Sequence, residues 1–153
     1  MSVYLDTSVL IPFLYEETEQ REKAESVKRL FQVITNRQAQ ALITFYTLPE
    51  LYNYVAENYS IDQVNETLRV SLAELFSAPL IVKPFVDRVD VERLRRRFAI
   101  SDPSDVFHVV AAIHYDCSAI ITFDHHFQQV ANVIPAYTPD EFLATLGNTS
   151  DAQ

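Results

Sequence analysis

Short apolar runs rich in Val, Ile, Tyr and Thr alternate along the chain with longer stretches of helical spacing. The runs at residues 2–5 (SVYL), 41–45 (ALITF), 80–82 (LIV) and 119–123 (AIITF) are too short for helices and are predicted to be strands. A weaker fifth run is 133–134, just before Pro135. Between them, residues 19–35 place Ala24, Val27, Leu30, Phe31 and Ile34 at i, i+3, i+4 spacings, which predicts an amphipathic helix. Further helices are expected over 9–14, over 48–58 behind a Thr47 cap, and over 60–78 behind Ser60. The last of these carries Ile61, Val64, Leu68, Leu72 and Leu75 on one stripe. Others are expected over 90–98, over 106–115 after a Ser101 or Asp102 cap, over 127–131 and over 140–146. The stretch 106–115 is almost wholly apolar and should be buried. Strands alternating with helices predict an α/β fold, with a mainly parallel sheet of four to five strands covered on both faces.

The chain has 153 residues, which suits one domain, here expected over 1–147 with a frayed tail over 148–153. No stretch reaches the roughly 18 apolar residues a membrane span needs. The first residues lack a basic lead and meet Asp6 at once, so no secretion signal is expected and a cytoplasmic location is. The single cysteine, Cys117, excludes an internal disulfide. The single glycine, Gly147, excludes glycine-rich phosphate loops and dinucleotide fingerprints. The formal charge of −9 opposes nucleic-acid binding unless a basic patch or bound cations intervene.

The acids change that picture. Two predicted strands end in aspartate, Asp6 and Asp124, and parallel strands would bring both to one rim, where open α/β sheets collect ligands. Glu50 and Asp105 fall in the first turns of helices, which should open at the same rim. Each acid is also an ordinary choice at a helix N-terminus. Four together, with no Lys or Arg adjacent in sequence, would repel one another. A hard divalent cation, Mg2+ or Mn2+, relieves that repulsion with oxygen ligands alone. Such a site suits hydrolysis of a phosphodiester, the ion reconciling an acidic pocket with a polyanionic substrate. An aspartyl-phosphate chemistry is a poor match, because a phosphatase motif wants a second Asp where Ser8 stands.

The blocks YLDTSVLIPFL, LPELYN, SDPSDVFHVVAA and ITFDHHF resemble those of PIN-domain ribonucleases, most nearly the VapC-type toxins of bacterial toxin–antitoxin pairs, and the resemblance runs from about residue 2 to residue 146. The resemblance implies a PIN-like three-layer α/β/α fold and a Mg2+-dependent endoribonuclease. Asp6 and Asp105 would be the principal metal ligands, Glu50 a direct or water-mediated one, and Asp124 the fourth acid. Ser8 and Thr122 would be supporting hydroxyls near the metal. It further implies an RNA substrate, a homodimer and a small antitoxin that blocks the site. An alternative is a PIN-like module that binds RNA or protein without turnover. Val106 and Phe107 are bulkier than the residues that commonly follow the third acid.

Other residues admit two readings. His108, one turn after Asp105, could orient an acid or simply pack in the core. His125 and His126 could serve a metal or decorate a loop. Arg93, Arg95, Arg96 and Arg97, near Arg88, could track an RNA backbone or form a solvated helix face beside Asp90 and Glu92. Tyr46, Tyr52, Tyr54 and Phe127 could stack unpaired bases or make core and dimer contacts.

Overall fold

The computed structural model describes residues 2–15 and 20–150. Five strands form one parallel sheet: β1 (Ser2–Leu5), β2 (Gln40–Thr44), β3 (Ile81–Lys83), β4 (Ile120–Ile121) and β5 (Ala136–Tyr137). Their order is β3-β2-β1-β4-β5, so β1 is central and each crossover carries helical structure. Tyr4 pairs with Leu42 on one side and Ile120 on the other.

Strand periodicity divides the core between two faces. Val3, Leu5, Ala41, Ile43 and Ile121 face one layer. There they meet α1 (Thr7–Leu14), α2 (Arg21–Thr35), α3 (Thr47–Asn58), α4 (Val64–Ser77) and α7 (Pro139–Ser150). Tyr4, Leu42 and Ile120 face the other layer. It is built from α5 (Arg88–Leu94), α6 (Asp105–His114) and a 3-10 turn over His125–Val130. Val109, Val110, Ala111 and Ala112 of α6 are fully buried, as an apolar helix requires. Each large side chain so buried contributes about 1.5–3 kcal/mol. The result is the expected three-layer arrangement.

A chain with one glycine must end helices without it. Arg37 (φ 60°) and Asp116 (φ 54°) adopt the left-handed conformation just past α2 and α6. The Arg37 and Gln38 N–H groups close on the Ile34 and Val33 carbonyls, and those of Asp116 and Cys117 on Ile113 and Ala112. Both ends are Schellman caps with non-glycine residues at the strained position.

Several boundaries differ from expectation. The helix expected from Glu19 begins at Arg21, with Glu19 outside the described residues. Tyr46, not Thr47, is the residue before α3, and no side chain caps that helix. α4 starts at Val64 because the Ser60 hydroxyl donates to the Gln63 side chain and residues 61–63 form a turn. Ile61 is therefore off the apolar stripe and 92% exposed. The helix expected over 90–98 starts earlier, capped by Asp87, and tightens to a 3-10 turn over Arg95–Arg97. The fifth strand lies after Pro135 rather than before it. The Ile134 N–H is taken by the Val130 carbonyl, while the Pro135 carbonyl accepts from Ile120. α7 continues through Gly147 to Ser150, into the segment expected to fray, and residues 151–153 lie outside the described ones.

Candidate metal centre

The carboxyl ends of β1 and β4 and the N-termini of α3 and α6 supply the four acids. Asp6 follows β1 directly, is 5% exposed, and caps α1 by accepting from the Ser8 N–H. Its Oδ2 also accepts from Ser8 Oγ at 2.6 Å and Thr122 Oγ1 at 2.9 Å. The two hydroxyls are themselves held by the next segment. Phe123 N–H donates to Ser8 Oγ at 3.0 Å, and Asp124 N–H to Thr122 Oγ1 at 2.9 Å. Asp6, Ser8, Thr122 and Asp124 thus form one hydrogen-bonded corner where β1 and β4 end side by side.

Asp105 opens α6 and is buried, and its Oδ2 has no hydrogen-bond partner. Its carboxyl is pushed up to about 7, first by burial and then by the charges of Asp6, Asp102 and Asp124, with His108 opposing. Those couplings place Asp105 in electrostatic reach of both strand-end acids. Asp102, the expected cap of α6, instead accepts from the Ser104 N–H and hydroxyl in the turn before the helix. Ser101 is bonded to Gln129.

Glu50 lies in the first turn of α3, and its Oε1 accepts from His108 Nε2 at 2.8 Å. Burial raises its carboxyl, but the His108 hydrogen bond and charge outweigh that and leave it below the ordinary value. Burial works against a charged His108, yet Glu50, Asp6 and Asp105 together draw its pKa above normal. His108 is fully buried, and its Nδ1 lies 2.7 Å from the Tyr4 hydroxyl, itself 2.8 Å from Thr44 Oγ1. Single ligand atoms of Asp6, Glu50 and His108 all lie within 4.8 Å of one another.

Asp124 stands at the outer side. Its Oδ1 accepts from the His126 N–H at 2.9 Å and faces His126 Nδ1 at 2.7 Å. Asp124, His125 and His126 make a second group with ligand atoms within 4.8 Å, on the solvent side of the rim.

Among the described residues, no lysine or arginine forms an ion pair with Asp6, Glu50, Asp105 or Asp124. A buried carboxylate oxygen without a donor, further acids in electrostatic reach and no lysine or arginine paired with them fit a hard cation with oxygen ligands. Arg93 of α5 and Arg95, the first residue past it, are tied to Asp90 and Glu92 of α5 at 2.9 and 3.5 Å. Arg96 and Arg97 are exposed on the 3-10 turn that follows.

The aromatic residues divide. Phe127 is fully buried and Tyr54 packs against Tyr15, so both belong to the interior. Tyr52 is half exposed on α3. Tyr46 stacks on Phe107 with centroids 5.1 Å apart, beside the edge of Phe85. The residues that sequence reasoning left between two readings are His108 and its partners. The i, i+3 spacing of Asp105 and His108 hinted at a shared face. The links to Glu50, Tyr4 and Thr44 span 58 to 104 positions or cross strands, and no local pattern announces them.

A family model for the PIN domain matches residues 3–133. The chain belongs to the PIN-domain family. Solved structures share the fold at low identity. VapBC2 from Rickettsia felis, bound to a DNA fragment from its promoter, is similar with a TM-score of 0.65 and 17% identity, over 90% of this chain and 98% of that one. FitAcB from Neisseria gonorrhoeae has a TM-score of 0.63 and 20% identity, over 91% and 98%. VapC20 from Mycobacterium tuberculosis, a sarcin–ricin loop cleaving toxin, has a TM-score of 0.60 and 10% identity, over 86% and 95%. No curated protein sequence matches significantly.

Proposed function

We propose that this PIN-domain protein is a Mg2+- or Mn2+-dependent endoribonuclease, acting as the toxin of a type II toxin–antitoxin pair. The observation that supports the reading is the buried, unpartnered Oδ2 of Asp105, in electrostatic reach of Asp6 and Asp124, with Glu50 and Asp6 ligand atoms within 4.8 Å and, among the described residues, no lysine or arginine paired with any of the four. The toxin assignment draws on the VapC and FitAB proteins that share the fold.

Asp6 and Asp105 are assigned as the principal ligands, with Glu50 and Asp124 completing the set directly or through water. A bound divalent ion supplies Lewis-acid stabilisation of charge on the phosphoryl oxygens and acidifies water at the site. The protein residues do the positioning. Ser8 and Thr122 occupy Oδ2 of Asp6 and fix its plane, leaving Oδ1 outside those bonds. The first-turn placement of Glu50 and Asp105 sets both carboxylates against helix N-termini, where negative charge is favoured. In the reaction, water adds to phosphorus, the P–O bond to the leaving ribose oxygen breaks, and that oxygen takes up a proton. Arg96 and Arg97, which form no ion pair among the described residues, are assigned with Arg93 and Arg95 to contacts with RNA phosphates. A small antitoxin that covers the acids and a homodimer complete the proposal.

The test is Asp6→Asn in the full chain. RNA cleavage in Mg2+ should fall at least about 100-fold while the circular dichroism spectrum is unchanged. Cleavage at the wild-type rate would overturn the reading. Absence of any calorimetric or thermal response of the wild type to Mg2+ and Mn2+ would favour a PIN-like binding module.

A further inference from the structure

We infer that His108 is a positioning residue that holds the Glu50 carboxylate toward Asp6, with Tyr4 and Thr44 fixing the ring that does so. The inference rests on the reading of these acids as cation ligands.

Glu50 has a flexible side chain, 31% exposed, on the first turn of α3. The Thr7 side chain lies close enough to favour its charged form. The close hydrogen bond to Glu50 comes from another layer of the molecule, through His108 Nε2 at 2.8 Å. The His108 ring is fully enclosed. Its far nitrogen meets Tyr4, also fully enclosed, at 2.7 Å, and Tyr4 meets Thr44 of β2 at 2.8 Å. Two sheet strands and α6 thus converge on one carboxylate of α3.

The direction of the hydrogen bonds follows from the donors available. An ionised carboxylate only accepts, so Nε2 carries the hydrogen. In the neutral ring Nδ1 then accepts from the Tyr4 hydroxyl, which accepts from Thr44; in the protonated ring Nδ1 donates to Tyr4, which donates on to Thr44. Every polar atom in the buried chain has a partner in either state, and both states keep one ring orientation. The same chain argues against His108 as a ligand itself. Both nitrogens are engaged, and coordination through Nε2 would break the bond to Glu50. The arrangement matches the general pattern in which a ligand is oriented by a hydrogen bond behind it, and loss of such a partner weakens metal affinity or activity 10–100-fold.

The test compares His108→Leu, His108→Gln and Tyr4→Phe in the full chain, each checked by circular dichroism. Mn2+ affinity is measured by calorimetry and RNA cleavage by initial rates. His108→Leu should weaken Mn2+ binding about 10–100-fold and lower kcat. His108→Gln, whose amide N–H can replace Nε2, should recover to within about threefold of wild type. If His108→Leu does not fold, His108→Gln and Tyr4→Phe carry the comparison, with Tyr4→Phe expected to weaken Mn2+ binding by a smaller factor. Without metal, 15N spectra of the wild type should show His108 protonated at Nε2, with that resonance moved by Glu50→Gln. Wild-type Mn2+ affinity in a folded His108→Leu variant, no recovery in His108→Gln, or a bare Nε2 would each overturn the inference. A wild type that neither binds Mn2+ nor cleaves RNA would instead remove the nuclease reading and the cation role of Glu50 with it.

Discussion

Glu50 and Asp124 each hold a histidine at hydrogen-bond distance, 2.8 Å for His108 and 2.7 Å for His126. The pairs share their chemistry and little else. His108 is fully buried, stands 58 positions from Glu50, and is backed by Tyr4 and Thr44. The His126 side chain is 48% exposed, two positions from Asp124, in a turn that its own backbone N–H helps to close. The first pair exists only when strands and helices have assembled, and the second forms within one turn of chain. The contrast shows why a carboxylate–histidine contact has no fixed worth. Burial and the second hydrogen bond decide whether it constrains a site or decorates a loop.

The largest effect should come from emptying the buried position. His108→Ala removes a close-packed ring, leaves the Tyr4 hydroxyl with Thr44 alone and takes the 2.8 Å donor from the partly buried Glu50 carboxylate. A loss of about 2–4 kcal/mol is expected in urea or thermal unfolding. A loss no larger than that of an exposed substitution would erase the distinction between the two pairs.

A second test uses the proton on the buried side. Burial and then its acidic neighbours push the Asp105 carboxyl up to about 7 from an ordinary value of 3.8 in the metal-free protein. The folded state therefore binds that proton more tightly than the unfolded chain. The stability it contributes is complete below the ordinary value and is lost as pH rises through about 7. In the presence of a chelator, wild type should lose about 1 kcal/mol or more relative to Asp105→Asn between pH 5 and pH 8, read as roughly 2–4 °C in Tm. Added Mg2+ or Mn2+ should raise the wild-type Tm more at pH 8 than at pH 6, since the ion displaces the proton. A Tm difference between the two proteins that is independent of pH would show that Asp105 is not the strained carboxyl of the group.

The same division between local and assembled features governs what was legible in the sequence. Asp6 and Asp124 could be read at strand ends because short runs rich in Val, Ile, Tyr and Thr mark β1 and β4 directly. Glu50 and Asp105 could be placed at the same rim because parallel strands put the next helix N-termini there. The fifth strand was displaced past Pro135, since two paired residues are too few for periodicity and the 133–134 run is consumed by the preceding turn. Ile61 was assigned to an apolar stripe that begins only at Val64, because a Ser60–Gln63 side-chain bond takes up the expected cap. The partners of His108 were beyond reach, because Tyr4 and Thr44 meet it only through sheet register and helix docking. The arginine segment was readable as positive charge. That Arg93 and Arg95 spend theirs on neighbours one turn away could be anticipated from Asp90 and Glu92.

The smallest effect should come from His126. Its contact with Asp124 is short, but both groups reach solvent, so the charge is screened and the side chains lose rotamer freedom to meet. The Asp124 side chain keeps the backbone N–H of residue 126 as a donor when the imidazole is removed, so the turn can still close. His126→Ala should therefore change unfolding free energy by about 0–1 kcal/mol, less again at 0.5 M salt. Chemical denaturation of His126→Ala beside His108→Ala at two salt concentrations checks this. A His126→Ala loss as large as that of His108→Ala, and insensitive to salt, would mean that the outer pair is as firmly built as the inner one.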